Sequence, residues 1–277
     1  MFLAAVLALS SLNHAPRVIL TLESFVRQVR RADYAGDTEL LDSLYTLSDG
    51  LLVNPKQESF LRYWRGFAMW RKGLNGMNDK VSAPMLIQDF RGAAEEFEEA
   101  LRLDREFTDA KIAEAACLMN LAFLAGSDQA EVKRLVGKFV PLLRDAEVTD
   151  PNNPRLFWVK GPMLWHLPES KGGGQARAFA AYDKGLQACE TQTVKDGDSI
   201  HPSWGKPELL MNTAWSKLNS TPPQLLEAER AAIQALKLVP YWHYVRDILL
   251  PKIRQAKQLQ ISGGIPPERK KENNTNA

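Results

Sequence analysis

The sequence predicts an all-α protein built from stacked helical hairpins, on the strength of two internal repeats and regularly placed turns. One repeat is a stripe of residues with the spacing i, i+4, i+7, i+8, and it occurs three times. On an α-helix these positions share one face, so each stripe describes a surface of small residues that a neighbouring helix approaches closely. Three copies of one interface indicate a repeat array. The stripes are Ala93, Phe97, Ala100 and Leu101; Ala178, Tyr182, Gly185 and Leu186; and Ala228, Ala232, Ala235 and Leu236.

A second repeat predicts the partner helix of two of these hairpins. When Gly66 is aligned with Gly161, the flanking residues match at identical offsets. A glycine inside a helix costs about 1 kcal/mol relative to alanine, so its recurrence indicates close helix packing at that point. Tyr63, Arg65, Met69 and Trp70 match Trp158, Lys160, Leu164 and Trp165.

The hydrophobic periodicity and the turn residues predict eleven helices in order along the chain. The clearest break is at residues 150–154, where two prolines and two asparagines favour a turn. The last helix is expected to cap the final hairpin. The predicted helices are 18–35, 38–52, 57–72, 87–103, 108–125, 129–146, 154–165, 175–189, 207–217, 223–238 and 241–259.

At these positions the chain resembles the tetratricopeptide repeat (TPR) family, whose unit is a helical hairpin of about 34 residues. Gly66 and Gly161 match the small residue of the family's first helix, and the stripes match the alanine and aromatic positions of its second helix. Pro55, Pro151 and Pro240 match its closing proline. The resemblance covers roughly residues 20–243 and implies a right-handed superhelical solenoid of TPR-like helical hairpins with a C-terminal capping helix.

The chain departs from the family's pattern in two respects. Arg62 and Arg65 stand where the family's first helix has large apolar residues. Surplus residues at 74–88 and 168–174 separate the two helices of a hairpin. The array is therefore expected to be divergent and irregular.

Three segments are expected along the chain. Residues 1–15 are a signal peptide or a leading apolar segment, 16–260 form the repeat domain, and 261–277 are a disordered tail too poor in apolar residues to fold. The apolar run 2–12 suits a signal peptide, although no basic residue precedes Arg17. Export to the periplasm or cell envelope is the expectation, and a cytoplasmic protein whose first helix begins early is the alternative. No stretch is long enough to predict a membrane span.

Composition and motifs exclude several classes of function. The net charge of +2 is too small to attract nucleic acid electrostatically, so nucleic acid is not expected as a partner. The four histidines are scattered, so no metal site is predicted. Cys117 and Cys189 are expected to be free thiols in apolar helices. With no nucleophile motif, neither catalytic residues nor a cofactor is predicted.

Two local motifs have structural interpretations. The run Gly172, Gly173 and Gly174 lacks the Lys-Ser/Thr ending of a phosphate loop and is expected to supply positive φ angles between helices. The acidic cluster is expected to form the solvated face opposite Phe97. Its members are Glu95, Glu96, Glu98 and Glu99.

The candidate binding site is aromatic. If the two glycines hold the TPR position, the aromatic side chains beside them face the side that lines the concave groove in this family, where they are expected to anchor a partner. Arg62 and Arg65 are expected to pair with an acidic partner, or else to lay their stems over a neighbouring helix. A core role for the aromatic residues is the alternative. They are Tyr63, Phe67, Trp70, Trp158 and Trp165.

The leading function hypothesis is a non-catalytic helical-repeat scaffold that binds a protein or peptide. The alternative is a periplasmic component that binds a small molecule or lipid and accompanies a solute transporter. A closed apolar pore lined by Trp70, Trp158 and Trp165 would favour that alternative. An enzyme with a dispersed site ranks lowest.

Overall fold

The computed structural model describes residues 20–51, 53–192 and 200–262. Within these ranges the chain forms eleven α-helices and no strand. The leading segment 1–15 and nearly all of the predicted tail lie outside the described residues. The helices are α1 (Leu22–Ala35), α2 (Thr38–Leu47), α3 (Glu58–Asn78), α4 (Ala83–Leu103), α5 (Thr108–Leu124), α6 (Gln129–Thr149), α7 (Pro154–His166), α8 (Gln175–Thr191), α9 (Lys206–Leu218), α10 (Leu225–Leu238) and α11 (Leu250–Ile261).

Helix ends lie where capping residues stand. Thr21 caps α1 and exchanges hydrogen bonds with Ser24, and Gly36 ends that helix with a φ of 71°. Asp128 accepts two backbone N–H groups at the start of α6. Asn153 caps α7 immediately before Pro154. The predicted break at residues 150–154 is therefore confirmed.

Consecutive helices pair into five hairpins, α1–α2, α3–α4, α5–α6, α7–α8 and α9–α10, and α11 packs on α10 as a cap. The first helices also contact each other in the order α1, α3, α5, α7 and α9. They therefore line a common inner side of the array. This order confirms the predicted all-α helical-repeat solenoid.

The repeated stripes hold the hairpins together as predicted. The alanine and aromatic members of all three stripes are buried. Phe97 packs on Gly66, where an added Cβ would lie 3.0 Å from its ring, and Tyr182 packs on Gly161 in the equivalent place. Each of these two hairpins thus inserts an aromatic ring of its second helix into the space left by a glycine of its first.

The surplus residues 74–88 form helix rather than an added loop. They extend α3 to Asn78 and start α4 at Ala83. In the other surplus segment, Gly172 and Gly174 have φ angles of 87° and 105°, as predicted. A π-helical segment, Tyr244–Leu249, precedes α11 where one continuous helix was predicted. Pro251 follows it and has no N–H for a normal helical bond.

The first helix also contacts the end of the array. The Tyr34 hydroxyl donates to Glu208 of α9 at 2.5 Å, and the Tyr34 ring meets Trp242 edge-on with the centroids 5.1 Å apart. Gly36 lies against His243 so closely that a Cβ would be 2.7 Å from the imidazole. Through these contacts the first hairpin packs against the C-terminal end of the array.

None of the helices in the described parts of the chain is both long and apolar enough to cross a bilayer. Cys117 and Cys189 are free thiols, as predicted.

Candidate functional site

Four of the five predicted aromatic residues gather on the inner side of the array. Trp70 of α3 and Trp158 of α7 meet edge-on, with ring centroids 5.5 Å apart. Tyr63 and Phe67 continue the same cluster along α3. Tyr63, Phe67, Trp70 and Trp158 of the two first helices α3 and α7 therefore form one cluster.

The prediction that these rings are exposed in an open groove was wrong. The side chain of Trp204, from the segment before α9, packs against Phe67, Trp70 and Trp158 at centroid distances of 5.4 to 5.7 Å. Tyr63, Phe67 and Trp70 are at most 1% exposed, and Trp158 is 9% exposed. The chain's own aromatic residue occupies the place assigned to a partner. A role for these residues in partner binding stays a prediction.

Hydrogen bonds fix Trp204 at both ends. Its indole N–H donates to the Tyr63 hydroxyl at 2.9 Å, and its carbonyl accepts from Arg155 Nη1 at 3.0 Å. Trp64 donates its own indole N–H to the Ile200 carbonyl at 2.6 Å. The segment that carries Ile200 and Trp204 is therefore part of the core, because buried donors and acceptors pair there.

Arg62 and Arg65 have their acidic partner within the chain. Arg65 is buried and donates from Nε to Glu96 at 2.9 Å, and Arg62 donates to the other carboxylate oxygen at 3.1 Å. Arg65 also stacks over the Tyr45 ring, 4.4 Å from its centroid. The expectation that Glu96 lies on a solvated face was wrong, because these two guanidinium groups draw its carboxylate between α3 and α4.

Trp165 lies apart from the inner cluster. It is half-buried and packs against Phe179 at 5.9 Å and Trp215 at 5.8 Å. It lines a separate surface pocket next to Gly174 and Gln175. The structure therefore divides the predicted site residues between a closed interior and one half-exposed tryptophan.

Beside the inner cluster lies a cavity of about 350 Å³. This volume is at the lower end of the range for small-molecule sites, about 300–1,000 Å³. Its walls come from α3, α5, α7 and α9, with Tyr182 of α8 and the start of the π-helical segment. The lining residues are Trp70, Arg71, Leu74, Asn75, Met77, Asn78, Ala116, Met119, Asn120, Trp158, Val159, Pro162, His166, Tyr182, Met211, Asn212, Trp215, Trp242 and Tyr244.

Three donors that belong to residues lining this cavity have no hydrogen-bond partner among the described residues, and each of the three atoms is enclosed by protein atoms. They are Nε1 of Trp70, Nε1 of Trp158 and Nη1 of Arg71. An unpaired buried donor costs about 1–3 kcal/mol, and most buried polar groups in folded proteins are paired. The tryptophans in its walls and its place between the first helices mark the cavity as a candidate binding site.

A buried network of charges holds Arg71 in place. Arg71 Nε donates to Asp33 at 2.7 Å, and Asn75 donates to the same carboxylate oxygen at 3.2 Å. Burial raises the pKa of Asp33 above its usual range, although the charge of Arg71 acts in the opposite direction. Glu208, on the other side, accepts from Tyr34 and from the backbone N–H of Gly205.

The other titratable side chains on the cavity are neutral at neutral pH. Burial raises the pKa of Tyr182 and of Tyr244 to about 12. His166 is largely exposed at the rim, yet loss of hydration lowers its pKa below the usual range. In the described parts of the chain, histidine, cysteine and acidic side chains form no group of three or more that could hold a metal ion.

Trp204 and Arg71 are members of the inner cluster that no sequence pattern predicted. Trp204 lies outside every periodic segment, so no helical pattern marks it. Arg71 adjoins the predicted Trp70, and a basic residue within an apolar helix was the available signal. The cavity wall at Leu74 and Asn75 follows from the lengthening of α3, which was predicted as a break.

No protein-family model and no curated protein matches the chain. Among solved structures, the chain is similar to a thermophilic TPR protein of Thermus thermophilus. The two are 15% identical, the match covers 87% of this chain and 100% of that chain, and the TM-score is 0.49. The hairpin order and the paired contacts of glycine with aromatic residues define the fold of the described residues as an all-α helical-repeat solenoid.

Proposed function

We propose that the protein is a non-catalytic binding protein that holds a small organic molecule in the cavity between its first helices. The observation that carries this proposal is a cavity of about 350 Å³ between the first helices, with four tryptophans in its walls. Trp70 and Trp158 line this cavity, and they are two of the three tryptophans that the small-molecule hypothesis requires. Trp215 lines it where Trp165 was expected.

The inner side of the array leaves little room for a peptide. Trp204 covers the aromatic residues that a peptide would contact, and its hydrogen bonds would have to break first. A small molecule needs no such rearrangement, because the cavity lies beside Trp204. This difference favours a small ligand over an extended chain.

The proposal is tested by identifying what the cavity carries. The protein is purified from its native cells without denaturation, and the small molecules released on denaturation are identified by mass spectrometry. Ala116→Phe, on the α5 wall, fills the cavity, and Ala130→Phe on the exposed face of α6 is the matched control. Circular dichroism and melting verify that each variant folds; Met119→Trp replaces Ala116→Phe if that variant does not.

The proposal expects one compound to accompany the wild-type protein and Ala130→Phe, and to be absent from Ala116→Phe. The same compound on all three proteins would mean that it binds elsewhere. A preparation from which no compound is released would contradict the proposal.

A scaffold that binds another protein is the second candidate, and the half-exposed Trp165 favours it. Together with Phe179 and Trp215 it forms an aromatic group that is still partly open to solvent. Affinity capture from the cell envelope with wild type and Trp165→Ala tests this candidate. Loss of a specific protein with Trp165→Ala supports it, and identical capture by both proteins contradicts it.

We also propose export to the periplasm or envelope, on the apolar run at residues 2–12. The N-terminal sequence and cell fraction of the mature protein test this. A protein that retains Met1 and is recovered with the cytoplasm contradicts it.

A further inference from the structure

We propose that a surface pocket between α1 and the C-terminal end of α10 binds the phosphate group of an organic phosphate ester. The pocket has a volume of about 650 Å³, which lies within the range of small-molecule sites. It is separate from the cavity of the proposed function, because none of its residues lines that cavity. The lining residues are Arg27, Gln28, Arg30, Arg31, Tyr34, Pro207, Leu238, Val239 and Tyr241.

Three arginines of α1 line this pocket. Arg27, Arg30 and Arg31 have the spacing i, i+3, i+4, which places them next to each other on one face of the helix. Arg27 and Arg31 are exposed to solvent. Arg30 is half-buried and donates to the Ser203 hydroxyl at 3.3 Å. One helix therefore brings three guanidinium groups to a single pocket.

The positive charge of the arginines is not balanced within the pocket. None of the described residues that line it is acidic, and neither Arg27 nor Arg31 forms an ion pair with a described side chain. The sign of this charge acts over several ångströms, whatever the orientation of each side chain. The pocket therefore attracts an anionic group.

The two acidic residues buried behind this face of α1 have other partners. Asp33 accepts from Arg71 Nε at 2.7 Å. Glu208 accepts from the Tyr34 hydroxyl at 2.5 Å and from the backbone N–H of Gly205 at 2.9 Å. Their hydrogen bonds leave Arg27 and Arg31 to a ligand.

The number of guanidinium groups favours phosphate over carboxylate. A phosphate monoester carries close to two negative charges at neutral pH and has three acceptor oxygens, whereas a carboxylate carries one charge. Arginine binds phosphate oxygens through paired N–H donors. Since Arg27 and Arg31 are exposed, binding removes only part of their hydration, and the desolvation cost is smaller than for a buried pair.

The rest of the pocket offers apolar surface to the organic part of the ester. Pro207 lies at the start of α9, and Leu238 and Tyr241 lie at the end of α10 and just after it. Leu238 is 48% exposed and Tyr241 is 44% exposed. The Tyr34 ring meets Tyr241 edge-on with the centroids 6.4 Å apart, which joins α1 to this apolar surface. A phosphate ester is therefore favoured over inorganic phosphate.

Three aromatic probes of similar size test the proposal at about pH 8, where phenyl phosphate is a dianion. Phenylacetate is a monoanion and benzyl alcohol is neutral. Isothermal titration calorimetry measures their affinities for wild type and for Arg27→Gln/Arg31→Gln. The matched control is Arg105→Gln/Arg144→Gln, which removes the same charge from two exposed arginines outside the pocket. Circular dichroism verifies folding, and Arg27→Gln alone replaces the first double variant if that variant does not fold.

We expect phenyl phosphate to bind about tenfold more tightly than phenylacetate, and benzyl alcohol to bind more weakly than both. Arg27→Gln/Arg31→Gln is expected to weaken phenyl phosphate by about tenfold. Arg105→Gln/Arg144→Gln should leave its affinity unchanged. Added sodium chloride should weaken binding to wild type, because salt screens exposed charges.

Vesicles distinguish a soluble ester from a lipid headgroup as the source of the phosphate. Phosphatidylcholine vesicles with and without phosphatidic acid are sedimented with wild type and with both double variants. Co-sedimentation that needs phosphatidic acid and is lost only in Arg27→Gln/Arg31→Gln assigns the site to a lipid. Binding of phenyl phosphate without co-sedimentation assigns it to a soluble ester. Either result supports a phosphate site.

Three results would overturn the proposal. Wild type that binds neither phenyl phosphate nor vesicles with phosphatidic acid has no phosphate site. Phenylacetate that binds as tightly as phenyl phosphate would show that the pocket does not select phosphate. Equal affinities of the two double variants for phenyl phosphate would place its binding site elsewhere. None of these results bears on the cavity of the proposed function, which the arginines do not line.

Discussion

The Tyr182 ring lies directly over Gly161, where a Cβ atom would be only 1.9 Å from ring carbon Cε1. The backbone of α7 and the ring of α8 are therefore in closer contact than any side chain on Gly161 permits. The phenol is held in place at its far end, where Ser216 donates to its oxygen at 3.2 Å. Since Tyr182 also lines the cavity, this contact joins hairpin packing to the candidate site.

Gly161→Ala is expected to destabilise the protein by about 1–3 kcal/mol, because overpacking outweighs the gain in helix propensity. Gly66→Ala should cost less, since the nearest atoms there are 3.0 Å away. Gly137, on α6, has no atom within 4 Å of an added Cβ, so Gly137→Ala is the control and should stabilise. Urea unfolding measures all three. Equal stability of Gly161→Ala and Gly137→Ala would contradict the packing described.

The contact of Gly161 with Tyr182 was predictable, because both residues belong to patterns repeated at helical spacing. Trp204 was not, since it stands between helices and its partner Tyr63 is 141 residues away in sequence. The same applies to the closure of the array through Tyr34 and Glu208. Periodicity records which face of a helix is buried, and it carries no information about which distant segment covers that face.

Glu96 shows the same limit for charges. In the sequence it belongs to a run of acidic residues, and only the packing of α3 on α4 shows that two arginines neutralise it. Glu96→Ala leaves Arg65 with the exposed Asp49 as its remaining acidic partner and is expected to cost about 1.5–3 kcal/mol. Glu95→Ala, on the exposed face of the same helix, should change stability little. Chemical denaturation measures the free energy of unfolding of both variants. Equal losses of stability would show that Glu96 is exposed to solvent.

Glu114 of α5 should make stability depend on pH. Burial, together with the charge of Glu98, raises its pKa to about 7, above the unfolded value of about 4.3. Between these values the folded state binds more protons, so the free energy of unfolding falls as pH rises. Glu114→Gln should therefore gain more stability at about pH 8 than at about pH 5. Glu95→Gln is the control, and parallel pH profiles for both variants and wild type would refute the effect.

Trp158 and Trp165 distinguish the core from the open surface. Trp158→Ala removes a ring packed against Trp70 and Trp204 and is expected to cost about 3–5 kcal/mol. Trp165→Ala should cost less than half as much, because Trp165 is only half-buried. Thermal unfolding compares the two. If Trp158→Ala melts at the wild-type temperature, Trp158 lies in an open groove and the interior is not closed.

The central claim is that a small molecule occupies the cavity beside Trp204, and a crystal structure of the protein soaked with phenylacetamide tests it most directly. The account predicts density for the probe in the cavity between α3, α5, α7 and α9. A probe bound only on the outer surface, with side chains filling the cavity, would contradict it.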